Sequence, residues 1–254
     1  MESLNKSEEA PKRKQLTPLE KRFLQYGLKD FSDPEMIELL LCHALPCKEG
    51  EKLTKEVAKR YQTLRQFLAA PEEELKQIPG MTPRCILYIK LMQTVPEISL
   101  REEIVGKSAY KEPQEVFDYL YLSMRDLKKE ILKVIYLDDR NQIIDIEDLF
   151  KGGLDGIHIY PREIQEGAIK HKATGLIFVH NHPSGDCTPS QNDRQITRDL
   201  VFIGKVLQIK VLDHIIIGDN KYFSFADAGL IEKYEDDFLN LRLRKKLVIA
   251  KDYK

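Results

Sequence analysis

Apolar and polar positions divide the chain into two textures. From Thr17 to about Val95 the texture is helical, and no alternating strand pattern interrupts it. Pro18-Leu19-Glu20-Lys21-Arg22-Phe23-Leu24 follows a Thr-Pro start signal, and Asp33-Pro34 opens residues 33–41 with Asp33 as cap. Segments 53–61, 64–68, 71–78 and 83–92 continue the series of short helices. Residues 16–100 are therefore predicted to form a small all-α domain, after a flexible lead-in over 1–15.

Residues 96–112 are charged and read as a helix end followed by a linker over 101–112. Beyond them the pattern changes. Segment 114–124 is helical, and Ile131-Leu132-Lys133-Val134-Ile135-Tyr136-Leu137 is a strand ended by the turn Asp138-Asp139-Arg140-Asn141. Further strands are expected at 143–146, 157–160, 211–217 and 222–225, and helices at 161–172 and 189–207. Leu176-Ile177-Phe178-Val179 is wholly apolar, as a central strand covered on both faces should be. Strands interleaved with helices predict an α/β domain with a mixed sheet over 113–230. The charged tail, 231–254, reads as helical and carries no evident chemistry.

Composition narrows the function classes. At 254 residues, 42% hydrophobic and 32% charged, the chain can bury a sizeable core as one large domain or two small ones. Lys and Arg number 40 against 41 acidic residues, so any nucleic-acid contact would need a local basic face. No signal-peptide pattern opens the chain, and no apolar run approaches the ~18 residues needed to cross a bilayer. The four cysteines (Cys42, Cys47, Cys85 and Cys187) are scattered with no CxxC pair, which suggests reduced thiols and a cytoplasmic protein.

Candidate chemistry is concentrated in His180-Asn181-His182-Pro183-Ser184-Gly185-Asp186-Cys187-Thr188-Pro189-Ser190-Gln191-Asn192-Asp193. Two histidines one residue apart, just past an apolar strand, project to the same side if extended geometry persists. Ser184-Gly185-Asp186 turns the chain, and Thr188-Pro189 opens a helix with Pro189 at its first position. Asp193 in the first turns can then reach back to the strand end. Two imidazoles and a carboxylate, with a fourth position left to water, form the pattern of a catalytic divalent-metal site, with zinc the expected ion. Such a metal polarises a carbonyl and brings a water's pKa to ~7. A second reading is a helix capping box at Ser190 and Asp193, with Asp186 serving only the turn.

HNHPSGDCTPSQND resembles the His-x-His-Pro-Ser-Gly…Pro-Ser-x-x-Asp signature of RadC-type proteins, which belong to the JAMM (MPN-plus) metalloprotease superfamily with its deubiquitinase-like fold. The resemblance continues in Tyr160-Pro161-Arg162-Glu163-Ile164 and in Leu212-Asp213-His214-Ile215-Ile216-Ile217-Gly218, and covers roughly residues 15–230. It implies His180, His182 and Asp193 as Zn2+ ligands and Ser190 as a donor to the developing oxyanion. It also implies a glutamate at the start of the domain's first strand as general base. That position is Glu130, and Glu147 on the next strand is its competitor.

The chain departs from the family pattern at Tyr160, where His-Pro-Arg-Glu is usual, and His158 is out of register to replace that histidine. Cys187 stands where a small residue or proline is typical. His214 reads as a core or supporting histidine and not as a ligand, while His43 and His171 carry no context. Ile78-Pro79-Gly80-Met81-Thr82-Pro83-Arg84 resembles a helix-hairpin-helix turn, with Thr82 in place of the second glycine and modest positive charge from Lys76, Arg84 and Lys90. Two functions follow as expectations. One is a zinc-dependent metallohydrolase cleaving peptide or isopeptide bonds in a protein or peptide conjugate. The other is a DNA-associated RadC-type repair or recombination protein whose metal domain supports nucleic-acid binding or processing.

Overall fold

A computed structural model describes residues 16–109, 113–151 and 161–252, and its chain divides between Thr94 and Val95 into two compact units. The first is all-helical, as expected. Its elements are α1 (Pro18–Tyr26), α2 (Asp33–Ala44), α3 (Cys47–Ala58), α4 (Leu64–Leu68), α5 (Glu72–Leu75) and the start of α6 (Pro83–Ile104). Ile37, Leu41, Leu53, Val57, Phe67, Leu75, Cys85 and Ile89 bury their side chains among one another. Each stabilises the unit by roughly 1.5–3 kcal/mol where fully buried.

Two boundaries differ from the sequence reading. The cap of α2 is Ser32, in a capping box with Glu35, and Asp33 is displaced to N1. Freed from capping its own helix, the Asp33 carboxylate accepts from the main-chain N–H of Leu64 at the start of α4, 2.5 Å away. The second difference is α6, which runs through Pro96 to Ile104 and takes up the first four residues of the expected linker. Proline lacks one main-chain donor. Burial of Ile104 (1% exposed) in the second unit's core, with Leu100 packed against it, offsets that loss. Residues 106–109 then bond along the first turn of the sheet, through Gly106 N to Ile143 O and Ala109 N to Asn141 O.

The second unit is a five-stranded mixed sheet flanked by helices. Its strands are β1 (Ile131–Leu137), β2 (Ile143–Lys151), β3 (Gly175–Asn181), β4 (Lys210–Ile217) and β5 (Tyr222–Ser224), in the spatial order β2-β1-β3-β4-β5. Among the described strands only β3 and β4 pair in parallel, and α9 (Gln191–Leu207) supplies the crossover between them. On one face Leu132, Val134, Tyr136, Phe178 and Ile216 pack with Ile164 of α8 (Pro161–His171), Leu200 of α9 and Ile231 of α10 (Leu230–Asp252). On the other, Ile135, Leu137, Ile177, Val179 and Ile217 meet Val116, Leu120 and Met124 of α7 (Pro113–Met124). Covered on both sides, β3 is buried at every position. The strand expected at 157–160 lies outside the described residues.

Asp213 ties β4 to the chain after β5. Its carboxylate accepts from His214 N (2.7 Å), Ala226 N (2.8 Å) and Ser224 Oγ (2.6 Å). Burial pushes this carboxyl up to about 6 in spite of those bonds. Between about pH 4 and 6 the folded chain keeps a proton that the unfolded chain has released, so stability falls as pH rises through that window. Asp213→Asn retains the shape without the ionisation. Measured by urea unfolding, the variant is expected to gain on the wild type by on the order of 2–3 kcal/mol from pH 4 to 7. A difference that does not change with pH would refute this.

Candidate metal centre

Strand alternation sets the first half of the site. His180 lies in β3 opposite Leu132 of β1, on the sheet face that carries Phe178 and Val134. The extended chain continues one step beyond the strand, because His182 N donates to Ile217 O of β4 at 3.0 Å. Both imidazoles therefore stand on one face. The chain then reverses at Gly185, whose φ of +80° suits glycine and whose carbonyl accepts from Asp219 N. Asp186 shapes the turn by accepting from Thr188 N and Thr188 Oγ1, and its own carbonyl faces His182 Nδ1 at 2.6 Å.

The second half is the start of α9. The helix begins at Gln191 with Ser190 as N-cap, two residues later than the expected opening at Pro189. The reason is the capping box itself. Asp193 N donates to Ser190 Oγ (3.1 Å), while Ser190 N and Ser190 Oγ both donate to Asp193 Oδ2 (2.7 Å each). The cap and the metal-ligand readings are thus not alternatives, since the cap holds the carboxylate that faces the histidines. Asp193 Oδ1 lies 3.3 Å from His180 Nε2, Asp193 Oδ2 lies 3.4 Å from His182 Nε2, and the two Nε2 atoms are 3.1 Å apart.

These separations test whether a metal fits. Tetrahedral zinc with bonds of 2.0–2.1 Å sets its donors about 3.3 Å apart. The two imidazole nitrogens lie near that edge, each faces its own oxygen of Asp193 at a similar distance, and the donor set of two imidazoles and one carboxylate suits zinc. Protonation matches as well. Burial pushes His180 below the ordinary histidine range. Burial also works against the charge on Asp193, but its close contacts with the His180 and His182 rings and the hydrogen bonds from Ser190 outweigh it and hold the carboxyl well below its usual value. His182 is raised by its bond to Asp193, so a proton on that ring is the one a cation must displace.

Glu130 immediately precedes β1, two residues before Leu132, which pairs with His180, the last pair of the β1–β3 ladder at that end. By alternation it shares the histidines' face, and its charge acts to raise the pKa of both. Asn181, 1% exposed, brackets it: the side-chain amide accepts from Ile131 N (2.9 Å) and donates to Lys129 O (3.2 Å). Glu147 is held elsewhere. Lys170 Nζ of α8 donates to its carboxylate at 2.5 Å with His171 Nε2 3.2 Å away, and the lysine keeps that carboxyl below its usual range.

Two residues that shape the local geometry, Asn181 and Thr197, were not read as such from the sequence. His214, expected as a core or supporting histidine, is fully buried and forms with the buried Thr197 a chain of bonds behind His180. Burial holds His214 well below the ordinary histidine range. The apolar context of His214 was visible, but nothing in the sequence showed that helix α9 would bring Thr197 to it. Cys187 is half-buried against the core beside Gly218 and is not among the converging donors. His43 bonds Leu39 O of its own helix. His158 and Tyr160 lie outside the described residues. Asp145, Glu147 and His171 also approach one another, but the ammonium of Lys170 and the guanidinium of Arg101 already neutralise those carboxylates.

In the helical unit the turn resembling a helix-hairpin-helix has Gly80 at φ +88°, and Thr82 Oγ1 accepts from Cys85 N at 3.3 Å. Thr82 therefore caps α6. Lys76 pairs with Glu72 and Glu73, and Lys90 bonds Ala70 O and Gln93, so two of the three nearby cations are engaged locally. Among the described residues no helix is long and apolar enough to cross a membrane.

Residues 110–230 match the RadC-like JAB domain family. The chain is 35% identical over 210 residues to a UPF0758 protein of Nitrosomonas eutropha, covering 83% of this chain and 94% of that protein. It is 37% identical over 213 residues to a UPF0758 protein of Trichlorobacter lovleyi, covering 83% and 93%.

Proposed function

The chain belongs to the RadC-type family of JAB-domain proteins, the UPF0758 proteins, and we propose that it is a zinc-dependent hydrolase of peptide or isopeptide bonds. The observation that carries this reading is the convergence of His180 Nε2, His182 Nε2 and the Asp193 carboxylate, whose two oxygens face the two rings, beside Glu130. When bound there, zinc supplies Lewis-acid polarisation of a carbonyl and eases deprotonation of a water at neutral pH.

The chain's own residues do the rest. Glu130 accepts a proton from the attacking water and returns it to the leaving amine nitrogen. Asn181 keeps Glu130 at the strand start by holding the main chain on both sides of it. Ser190 Oγ, exposed on the first turn of α9, donates to the oxygen on which charge develops, in exchange for its bond to Asp193. The substrate is a protein or peptide conjugate. A cytosolic setting suits four free thiols.

The test is chelation followed by reconstitution. Stripped protein is expected to cleave neither peptide nor lysine-linked isopeptide substrates, and stoichiometric zinc should restore cleavage. Protein that takes up no zinc, or that binds DNA with a steep salt dependence and hydrolyses nothing, would overturn the reading in favour of a nucleic-acid role.

A further inference from the structure

His180 and His182 aim their Nε2 atoms at one point, but different neighbours hold them there. His182 Nδ1 lies 2.6 Å from the carbonyl oxygen of Asp186, which can only accept. That ring therefore keeps a proton on Nδ1, and Nε2 is the nitrogen it can turn to a metal. His180 Nδ1 faces a second imidazole instead, His214 Nε2, at 2.8 Å. An imidazole nitrogen can donate or accept, so this contact alone leaves the His180 tautomer undecided.

The next two links decide it. His214 Nδ1 lies 2.6 Å from Thr197 Oγ1, and Thr197 Oγ1 donates to the main-chain carbonyl of Asp193 at 2.5 Å. With its proton committed to a carbonyl, the threonine oxygen is left to accept from His214 Nδ1. His214 then presents a lone pair on Nε2, His180 donates to it through Nδ1, and His180 Nε2 is left with a lone pair facing Asp193 and His182.

We infer that Thr197 and His214 form a directional hydrogen-bond relay, anchored on the main-chain carbonyl of Asp193, that fixes His180 in the tautomer able to bind a metal. The purpose of the relay rests on the metal reading above; its direction does not. If the Thr197 hydroxyl turned toward His214, every donor in the chain would reverse. His180 Nε2 would then carry a proton where a cation must sit. Solvent does not interrupt the relay, because His180, Thr197 and His214 are all 0% exposed. The His214 ring is also clamped, stacked on Phe225 (5.2 Å, 15°) and edge-on to Phe178 (6.5 Å, 79°). One stretch of α9 therefore supplies both the carboxylate of the triad and, through Asp193 O and Thr197, the anchor that orients its histidine partner.

Long-range proton–nitrogen NMR spectra of the zinc-free wild type test the direction. His180 and His214 are both expected to be protonated on Nδ1, and an Nε2 proton on either would overturn the relay. Chelator competition tests its effect. Thr197→Val is expected to weaken zinc binding about 10–100-fold, with Thr197→Ser retaining wild-type affinity. Wild-type affinity in Thr197→Val would likewise refute the relay. The spectra use unmodified protein, so they decide even if Thr197→Val fails to fold. If the wild type binds no zinc, the metal reading fails while the tautomers still judge the relay.

Discussion

A Glu130→Gln chain is expected to keep its zinc and to lose a factor of about 10²–10⁴ in kcat on any amide that the wild type cleaves. Glutamine preserves the size of the side chain and its hydrogen-bonding reach but cannot accept the proton of the attacking water. The position is set by main chain, since Glu130 directly precedes the strand that pairs with His180 and Asn181 holds both of its flanking peptides. The loss should therefore fall on kcat, with KM and metal content unchanged. Glu147→Gln is the control. Its carboxylate is bound by Lys170 on α8, so that variant should turn over as the wild type does. Were Glu147→Gln the inactive one, the base would be misassigned while the metal triad stood.

The second large effect is on metal uptake. His182→Ala is expected to purify without zinc and to show no hydrolysis, because two donors remain where tetrahedral ligation by the protein needs three. Calorimetry separates this from misfolding. Zinc at a thousand times its Kd should stabilise the wild type by about 4 kcal/mol and the variant not at all. The zinc-free variant should unfold close to the zinc-free wild type, since His182 is partly exposed and the capping box of Ser190 and Asp193 does not involve it. Asp193→Ala behaves differently, losing the metal and also the cap, the latter worth about 1 kcal/mol. Zinc-dependent stabilisation persisting in His182→Ala would remove the triad from the account.

The sequence by itself determined the two-part architecture, because helical texture and the strand–helix alternation are local patterns that each segment carries alone. The apolar run of β3 announced a strand covered on both faces, and the structure buries all of it. His180, His182 and Asp193 were legible for the same reason: short-range geometry at a strand end, a turn and a helix start is enough to bring them together. The boundaries were less legible. Ser32 took the cap expected of Asp33, and α6 passed through Pro96, because burial of Ile104 outweighs one missing hydrogen bond.

What only the tertiary structure decided concerns residues far apart in the chain. Whether Glu130 or Glu147 faces the histidines depends on the register between β1 and β3 and on where α8 places Lys170, which no local pattern encodes. Asn181 looked like a spacer between two ligands until the pairing of β1 gave its amide two main-chain partners. The sequence also left the capping box and the metal ligand as rival explanations of Ser190 and Asp193. In three dimensions they coincide, because one carboxylate has two oxygens and enough lone pairs to accept from a helix start and face two imidazoles at once.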